Sequence, residues 1–275
     1  MTQIDDLFAA DGWLAQELPG YRVRAGQYAA AAKLAACVEG HRHAVVEAAT
    51  GGGKRQMYLA AALIGAADQS PAEETPRAVV VATANRALQR QLIDSDLPAL
   101  QRALARGGRS FTFALSQGVS NYLCATALED ASDAEDMLDS ASRQQLRRVR
   151  DWSLTTATGD LDDLGFELGG AVRTRVTTSS DECAGAACRH ADSCYARCAK
   201  TAACAADVVV TNYAMLGVDT IIRGDSGAPH CPLPAPRVLI CDEAHRMGDL
   251  VRQAFGWQIT AAGLQRTIYL LAPRR

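Results

Sequence analysis

HAVVEAATGGGKR, residues 43–55, is the stretch that decides the fold. Its first six residues form a short apolar run rich in β-branched side chains, and a glycine-rich loop follows directly. The next residues, 55–67, have a helical pattern. Small residues in such a loop allow backbone N–H groups to face an anion at the start of a helix. We therefore predict a strand, a phosphate-binding type of loop and a helix, in that order.

The rest of the chain continues this alternation. The run AVVVAT at 78–83 predicts a second strand, and NRALQRQLI at 85–93 predicts an amphipathic helix. Two further strands are predicted at 207–211 (DVVVT) and 237–241 (RVLIC). Strands that alternate with helices indicate an α/β fold with a parallel sheet.

The middle of the chain differs from both ends. Residues 116–204 show little strand pattern, and they contain an acidic stretch, a basic stretch at 143–150 and a cluster of cysteines. Because the strand pattern returns at residue 207, we interpret the middle as a mostly helical insertion between strands of one sheet.

The glycine loop matches most of a Walker A pattern. Gly53 and Lys54 occupy their expected positions, and Ala48 takes the place of the first glycine. Lys54 would reach the β- and γ-phosphates of a nucleotide. Arg55 departs from the pattern, since a guanidinium cannot bind Mg²⁺ as a Ser or Thr hydroxyl does. The alternative is a glycine-rich turn that contains a lysine. The candidate nucleotide-binding residues of the loop are Ala48, Ala49, Thr50, Gly51, Gly52, Gly53, Lys54 and Arg55.

An acidic motif, DEAH, follows the predicted strand VLIC. Asp242 at a strand end suits a Walker B residue that holds Mg²⁺, and Glu243 could orient or deprotonate the attacking water. Alternatively, Asp242 caps the start of a helix. A strand followed by DEAH, downstream of a glycine loop in the same sheet, favours nucleotide binding with Lys54, Asp242 and Glu243 as catalytic candidates.

The nine cysteines are not scattered evenly. Cys183, Cys188 and Cys194 lie close together in the sequence, and Cys124 is the remote candidate for a fourth ligand. Four such thiolates suit either an iron–sulfur cluster or zinc, and the spacing leaves both open. Two neighbours could compete as ligands, Cys198 and Cys204. The remaining three are predicted to be plain, at least partly buried thiols: Cys37, Cys231 and Cys241.

Composition and charge limit the classes of protein to which the chain can belong. Apolar residues make up 48% of the 275 residues, which is enough for a sizeable core, and the net charge of -3 provides no global basic field. No apolar run reaches the length of a membrane span, and the acidic N-terminus lacks a secretion signal. We therefore expect a cytoplasmic protein with no membrane contact.

Several ordered motifs together resemble the DinG/XPD-like iron–sulfur DNA helicases of superfamily two, and the bacterial DinG branch most closely. YRVRAGQ at 21–27 resembles the Q motif, and VVATANRALQRQLIDSDLP at 80–98 resembles motif Ia. The other matching segments are AATGGGKR at 48–55, LSQGVSNYLC at 115–124, TATGDLDDL at 156–164, the three clustered cysteines, ADVVVTNYAML at 206–216 and VLICDEAHRMGD at 238–249.

The resemblance implies a RecA-like P-loop sheet flanked by helices, with a helical iron–sulfur domain inserted in it. It implies a [4Fe–4S] cluster on Cys124, Cys183, Cys188 and Cys194, adenine recognition by Gln27, and use of ATP with Mg²⁺ on Asp242. It also implies 5′→3′ unwinding of DNA, with single-stranded DNA and DNA junctions as partners. The implied domains are residues 1–115 and 206–250 for the first motor domain, 116–205 for the cluster domain and 251–275 for the start of an arch insertion.

Two departures from the family pattern raise alternatives. Arg55 stands at the metal-binding position, and no motif of a second motor domain follows DEAH in these residues. We therefore expect slow hydrolysis by this chain alone, with a second motor domain supplied by another chain. The alternatives are a non-catalytic module that binds single-stranded DNA with vestigial nucleotide binding, and a zinc-binding regulator. Arg86, Arg90 and the arginines of 143–150 could contact phosphates or merely form solvated helix faces.

Overall fold

The structure is a computed structural model that describes residues 3–48, 53–66, 78–224, 232–255 and 264. The helices in these ranges are α1 (Gln3–Phe8), α2 (Trp13–Glu17), α3 (Ala25–Glu39), α4 (Lys54–Gly65), α5 (Arg86–Gln91), α6 (Leu97–Arg106), α7 (Ala125–Asp133), α8 (Ser140–Ser153), α9 (Gly170–Val176), α10 (Tyr195–Ala205), α11 (Tyr213–Gly224) and α12 (Met247–Phe255). The strands are β1 (Ala78–Thr83), β2 (Phe113–Leu115), β3 (Val208–Asn212) and β4 (Pro236–Cys241).

The four strands form one parallel sheet in the order β2-β3-β1-β4. In its centre, Val80 of β1 lies between Val209 of β3 and Leu239 of β4. Both central strands are continuous runs of buried β-branched residues, as expected where helices cover both faces of a parallel sheet. The α/β fold predicted from the sequence is confirmed, and the sheet is consistent with a RecA-like fold.

Two apolar clusters enclose this sheet. The larger one packs β1 and β3 against helices α1, α3, α4 and α6. The smaller one, on the other face, joins Val80 and Val209 to Ala203 of α10 and to Leu233. Because side chains alternate along a strand, Val79 and Val81 point into the first cluster while Val80 points into the second.

The stretch between β2 and β3 has a separate apolar cluster. Leu123, Leu146, Val149 and Val176 are its buried centre, and they belong to α7–α9 and the adjoining turns. Within the described residues 116–205, Tyr122 and Asp160 form an isolated antiparallel β-bridge. This stretch is mostly helical, as predicted.

Two details of the sheet differ from the sequence-based prediction. Residues 43–48 were predicted to form a strand, but they have no regular secondary structure, and Val45 and Val46 are exposed. A β-branched run becomes a strand only where a sheet edge pairs with it, and this run lies outside the ladder. The short strand β2 was not predicted, because three residues carry too little alternation to be recognised.

No helix within the described ranges is both long enough and apolar enough to span a membrane.

Candidate functional site

Helix α4 begins at Lys54, directly after Gly53, whose φ of +74° lies in the left-handed region. Gln27 of α3 is buried against this turn and donates from Nε2 to the carbonyl of Gly53 at 2.9 Å. A Cβ at position 53 would overlap the Gln27 amide, so a glycine is needed there for space as well as for φ. Ala48 is half-buried, while the predicted loop residues Ala49, Thr50, Gly51 and Gly52 lie outside the described residues.

The DEAH residues lie against the start of α4. Lys54 Nζ is 3.2 Å from Glu243 Oε1, and both side chains are about one-third exposed. Tyr58, one helical turn after Lys54, donates from its hydroxyl to Asp242 Oδ2 at 3.3 Å. The lysine and the two carboxylates predicted from separate motifs are therefore brought together.

Asp242 continues the ladder of β4 as a buried residue. Its N–H donates to the carbonyl of Ala82 at 2.9 Å, and its own carbonyl accepts the Tyr213 hydroxyl at 2.7 Å. Burial raises the pKa of the Asp242 carboxyl, and the neighbouring Glu243 raises it further, while Lys54 opposes the shift. Burial also raises the pKa of Tyr58, so its hydroxyl keeps the proton that it donates.

Glu243 is held in an unusual backbone conformation. Its φ of +58° lies in the left-handed region, which a residue with a Cβ seldom adopts. A short 3₁₀ turn, Ala244–Arg246, follows it, and His245 Nδ1 is 3.6 Å from Glu243 Oε2. Such strain is concentrated at functional sites. Here it directs the Glu243 carboxylate back toward Lys54 rather than along the strand.

Replacement of Asp242 by asparagine is expected to stabilise the fold. The folded pKa lies above the ordinary value, so the folded state keeps a proton over a pH interval where the unfolded chain has lost it. Stability is therefore lost as the pH rises through that interval, and at pH 7 the buried charge destabilises the protein. We expect Asp242→Asn to raise the Tm at pH 7 by about 2–4 °C.

Calorimetry at pH 7 and at pH 4 measures this effect, which should shrink at the lower pH. The exposed Asp94→Asn is the matched control and should leave the Tm unchanged. A lower Tm for Asp242→Asn at pH 7 would show that the carboxylate is a net stabiliser there.

Arg55, the residue that departs from the Walker A pattern, forms an ion pair with Asp96. The neighbouring Gln56 donates to the carbonyl of Asp96 at 3.2 Å, and Asp96 ends a π-helical turn that precedes α6. The Arg55 guanidinium is thus paired with the Asp96 carboxylate. Two site residues, Tyr58 and Asp96, were missed from the sequence. Tyr58 could have been found from its i,i+4 spacing to Lys54, whereas nothing in the sequence pairs residues 55 and 96.

Three of the four candidate cluster cysteines lie near one another. Burial raises the pKa of the Cys124 thiol, and the nearby Cys188 and Cys183 add to this rise. The Thr126 hydroxyl is 3.5 Å from Cys188 Sγ and lowers the pKa of that thiol, while the Gly185 N–H donates to Cys183 Sγ at 3.4 Å.

Cys194 is connected to this group through its neighbour in the chain. The ring of Tyr195 lies against Gly159, and the carbonyl of Gly159 accepts the N–H of Leu123 at 2.8 Å. Cys194 and Cys124 are therefore linked through the residues next to them in the chain, Tyr195 and Leu123.

The candidate thiols do not form a preformed site for one metal ion in the described part of the chain. Across the described ranges, no three Cys, His, Asp or Glu side chains converge on a point where one ion could be held. A four-iron cluster needs no such convergence, because each sulfur binds a different iron. Cys124, Cys183 and Cys188 each accept hydrogen bonds from N–H or O–H groups.

The other cysteines differ in exposure. Cys198 and Cys204 of α10 are exposed, and Cys37 and Cys241 are partly buried, as predicted for plain thiols. Cys231 lies outside the described residues.

The arginines considered for DNA contact are engaged within the chain. Arg147 is 2.8 Å from Glu135, and Arg148 stacks 3.7 Å above the centre of the Phe166 ring. Arg86 and Arg90 of α5 form ion pairs with aspartates of residues 160–163. An open groove lies beside α5 and is lined by these two arginines, Arg173 and Phe166, among other residues.

Fold and site together define a class: a parallel α/β protein in which a lysine at a helix N-terminus meets two acidic residues at a strand end. Helix N-termini of this kind bind phosphates. No family model matches the chain. It is nevertheless similar to "ATP-dependent helicase DinG" of Mycobacterium tuberculosis H37Rv, with 38% identity over 257 residues, which are 88% of this chain and 37% of that protein.

Two other relatives are named "ATP-dependent DNA helicase YoaA". The Escherichia coli K12 protein is 34% identical over 94% of this chain, and the Haemophilus influenzae Rd protein is 32% identical over 96%. The chain spans 37% to 39% of the length of these three relatives. The resemblance indicated by the motifs is confirmed, since the chain is 32% to 38% identical to these DinG and YoaA helicases over 88% to 96% of its length.

Proposed function

We propose that the chain is the ATP-binding N-terminal part of an ATP-dependent 5′→3′ DNA helicase with a [4Fe–4S] cluster. Residues 1–115 and 206–250 would form the first motor domain, 116–205 the cluster domain and 251–275 the start of an arch insertion. The observation that carries the proposal is the meeting of Lys54, at the N-terminus of α4, with Glu243 and Asp242 at the end of β4. A cytoplasmic location is part of this proposal.

The nucleotide would bind with its phosphates at the N-terminus of α4. Lys54 would then leave Glu243 for the β- and γ-phosphates, and the freed Glu243 would accept a proton from the attacking water. Asp242 would hold Mg²⁺, which neutralises charge on the phosphates. Gln27 lies within reach of the loop through Gly53 and would read the adenine in the nucleotide-bound state. Arg55, held by Asp96, would lie to one side of the metal.

Cys124, Cys183, Cys188 and Cys194 would hold the cluster. When bound, the cluster would join Cys183 and Cys188 to the Cys124 and Cys194 segments, whose neighbours Leu123 and Tyr195 already pack in the apolar cluster of α7–α9. Thr126 and the N–H of Gly185 would donate hydrogen bonds to the ligand sulfurs. Single-stranded DNA and DNA junctions are the proposed partners.

A second motor domain, supplied by another part of a longer chain or by another chain, would provide the transition-state charge that this part lacks. The chain alone is then expected to bind ATP and to hydrolyse it slowly. The alternative is a DNA-binding module with vestigial nucleotide binding. It would use the same site residues as the motor, but in it ATP binding would not change the affinity for DNA.

Coupling between ATP and DNA tests the proposal. In a motor, the two ligands bias the same conformational equilibrium, so each changes the affinity for the other by the same factor. We expect ATP with Mg²⁺ to change the Kd for a fluorescent oligo(dT) strand by at least about fivefold, measured by anisotropy. ADP and nucleotide-free samples complete the comparison.

An unchanged Kd for the strand at saturating ATP would favour the vestigial module instead. Arg55→Thr is an informative companion variant, since it supplies the missing hydroxyl and should increase the dependence of ATP binding on Mg²⁺. Absence of any ATP binding at millimolar concentration would contradict both readings.

A further inference from the structure

Both arginines of α5 are directed at one short segment of the helical insertion, Thr158–Asp163, which we name the linking segment. Arg90 Nη2 is 2.7 Å from Asp160 Oδ2 and 3.0 Å from Asp163 Oδ1. Arg86 Nη1 is 3.2 Å from Asp162 Oδ1. These ion pairs converge on three aspartates, and Gln89 of α5 also accepts a hydrogen bond from the Gln117 amide of the insertion at 3.2 Å.

Asp160 is the buried member of this group. It is 4% exposed, and besides Arg90 its carboxylate accepts the N–H of Asp162 at 3.0 Å. The Nη2 atom of Arg90 is buried, and the carboxylates of Asp160 and Asp163 are its charge partners at these distances. Loss of the Asp160 charge would leave Arg90 with Asp163 as its ion-pair partner in this segment, so the attraction between α5 and the segment would weaken.

The same segment also contacts the neighbours of two candidate cluster ligands. The N–H of Leu123, next to Cys124, donates to the carbonyl of Gly159 at 2.8 Å, and Tyr122 pairs with Asp160. Gly159 has a φ of +59°, and a Cβ there would overlap the ring of Tyr195, the residue that follows Cys194. Asp160 and the adjoining Gly159 thus contact residues that neighbour both Cys124 and Cys194.

We propose that Asp160 is a positioning residue that fastens the Cys124 and Cys194 segments to α5 of the sheet domain. Its ion pair with Arg90 holds the linking segment on α5, and the backbone of that segment holds Leu123 and Tyr195. The placement of two of the four thiols then depends on a helix outside the insertion. This inference rests on the proposed cluster for its functional meaning, although the contacts exist without it.

Asp160→Asn tests the inference, since asparagine keeps the shape and the acceptor for the Asp162 N–H but removes the charge. Hydrogen exchange followed by mass spectrometry reports on the peptide that carries Leu123, whose N–H is bound to Gly159. We expect exchange in this peptide to become at least about tenfold faster, while peptides of β1 and β3 stay protected. Iron release to a chelator should accelerate in parallel.

Arg147→Gln is the matched control, because it breaks an ion pair of similar length within the insertion whose arginine is 60% exposed. It should change neither readout. If Asp160→Asn does not fold, Arg90→Gln removes the same pair from the α5 side and leaves the linking backbone intact.

Unchanged exchange at Leu123 in the variant that folds would overturn the inference, as would equal acceleration in β1 and β3. Wild-type protein that contains no iron would refute the proposed cluster alone. The exchange measurement would then still decide whether Asp160 fastens these segments.

Discussion

Replacement of Lys54 by alanine is expected to weaken ATP binding about 100-fold. The reason lies in the charge balance at the start of α4. Lys54 is the cation that faces Glu243, at 3.2 Å, and Asp242 is adjacent in sequence. Without Lys54 the phosphates would lose a charge-assisted contact and would also meet two carboxylates with reduced compensation. Calorimetric titration with ATP measures the change.

Two further variants make this result specific. Lys33→Ala removes an exposed lysine from α3 and should leave the affinity unchanged. Glu243→Gln removes the carboxylate that competes with phosphate for Lys54, so it should tighten ATP binding by a few-fold. If Lys54→Ala bound ATP as the wild type does, the phosphate-loop assignment of residues 48–55 would be wrong.

The sheet was largely predictable because its central strands are buried on both faces. AVVVAT forms β1 over the residues predicted, and β3 and β4 agree with prediction to within one residue at each end. Residues 43–48 also contain an apolar run, yet residues 43–47 are exposed and the run is not paired with the sheet. Composition shows which segments are able to form strands. Whether such a segment finds a sheet edge to pair with depends on the whole fold, and the local sequence does not reveal it.

The acidic side of the candidate nucleotide site was predictable for a similar reason. A residue that ends a buried parallel strand lies at the sheet edge where the loops meet, so DEAH after VLIC places Asp242 there. The left-handed backbone of Glu243 was not predictable, and neither was the Arg55–Asp96 pair. Both depend on contacts between segments that are distant in sequence.

The arginines of α5 show the limit of motif-based reasoning. Arg86 and Arg90 were considered either as phosphate contacts or as a solvated helix face, and the structure directs both to aspartates of the linking segment. A helical charge pattern does not reveal which distant carboxylates lie opposite. The TATGDLDDL stretch was recognised as part of the family resemblance, but its contact with α5 becomes visible only in the fold.

Replacement of Cys124 by serine is expected to remove nearly all iron from the purified protein, from about four atoms per chain. Cys124 is the remote member of the proposed ligand set, at the N-cap of α7, and its thiol lies near Cys183 and Cys188. A serine hydroxyl is a harder and poorer ligand for iron than a thiolate. Iron and zinc analysis of anaerobically purified protein, with the visible absorbance of the cluster, measures the loss.

The choice among thiols makes this last test selective. Cys37→Ser removes a similarly half-buried thiol from α3, and Cys198→Ser removes an exposed one that follows Cys194 by a single helical turn. Both variants should retain the wild-type iron content, because neither thiol belongs to the proposed set. If Cys124→Ser retained its iron and Cys198→Ser lost it, Cys198 rather than Cys124 would be the cluster ligand. Stoichiometric zinc in colourless wild-type protein would instead favour a zinc site, and the four thiols would then have to rearrange to converge on one ion.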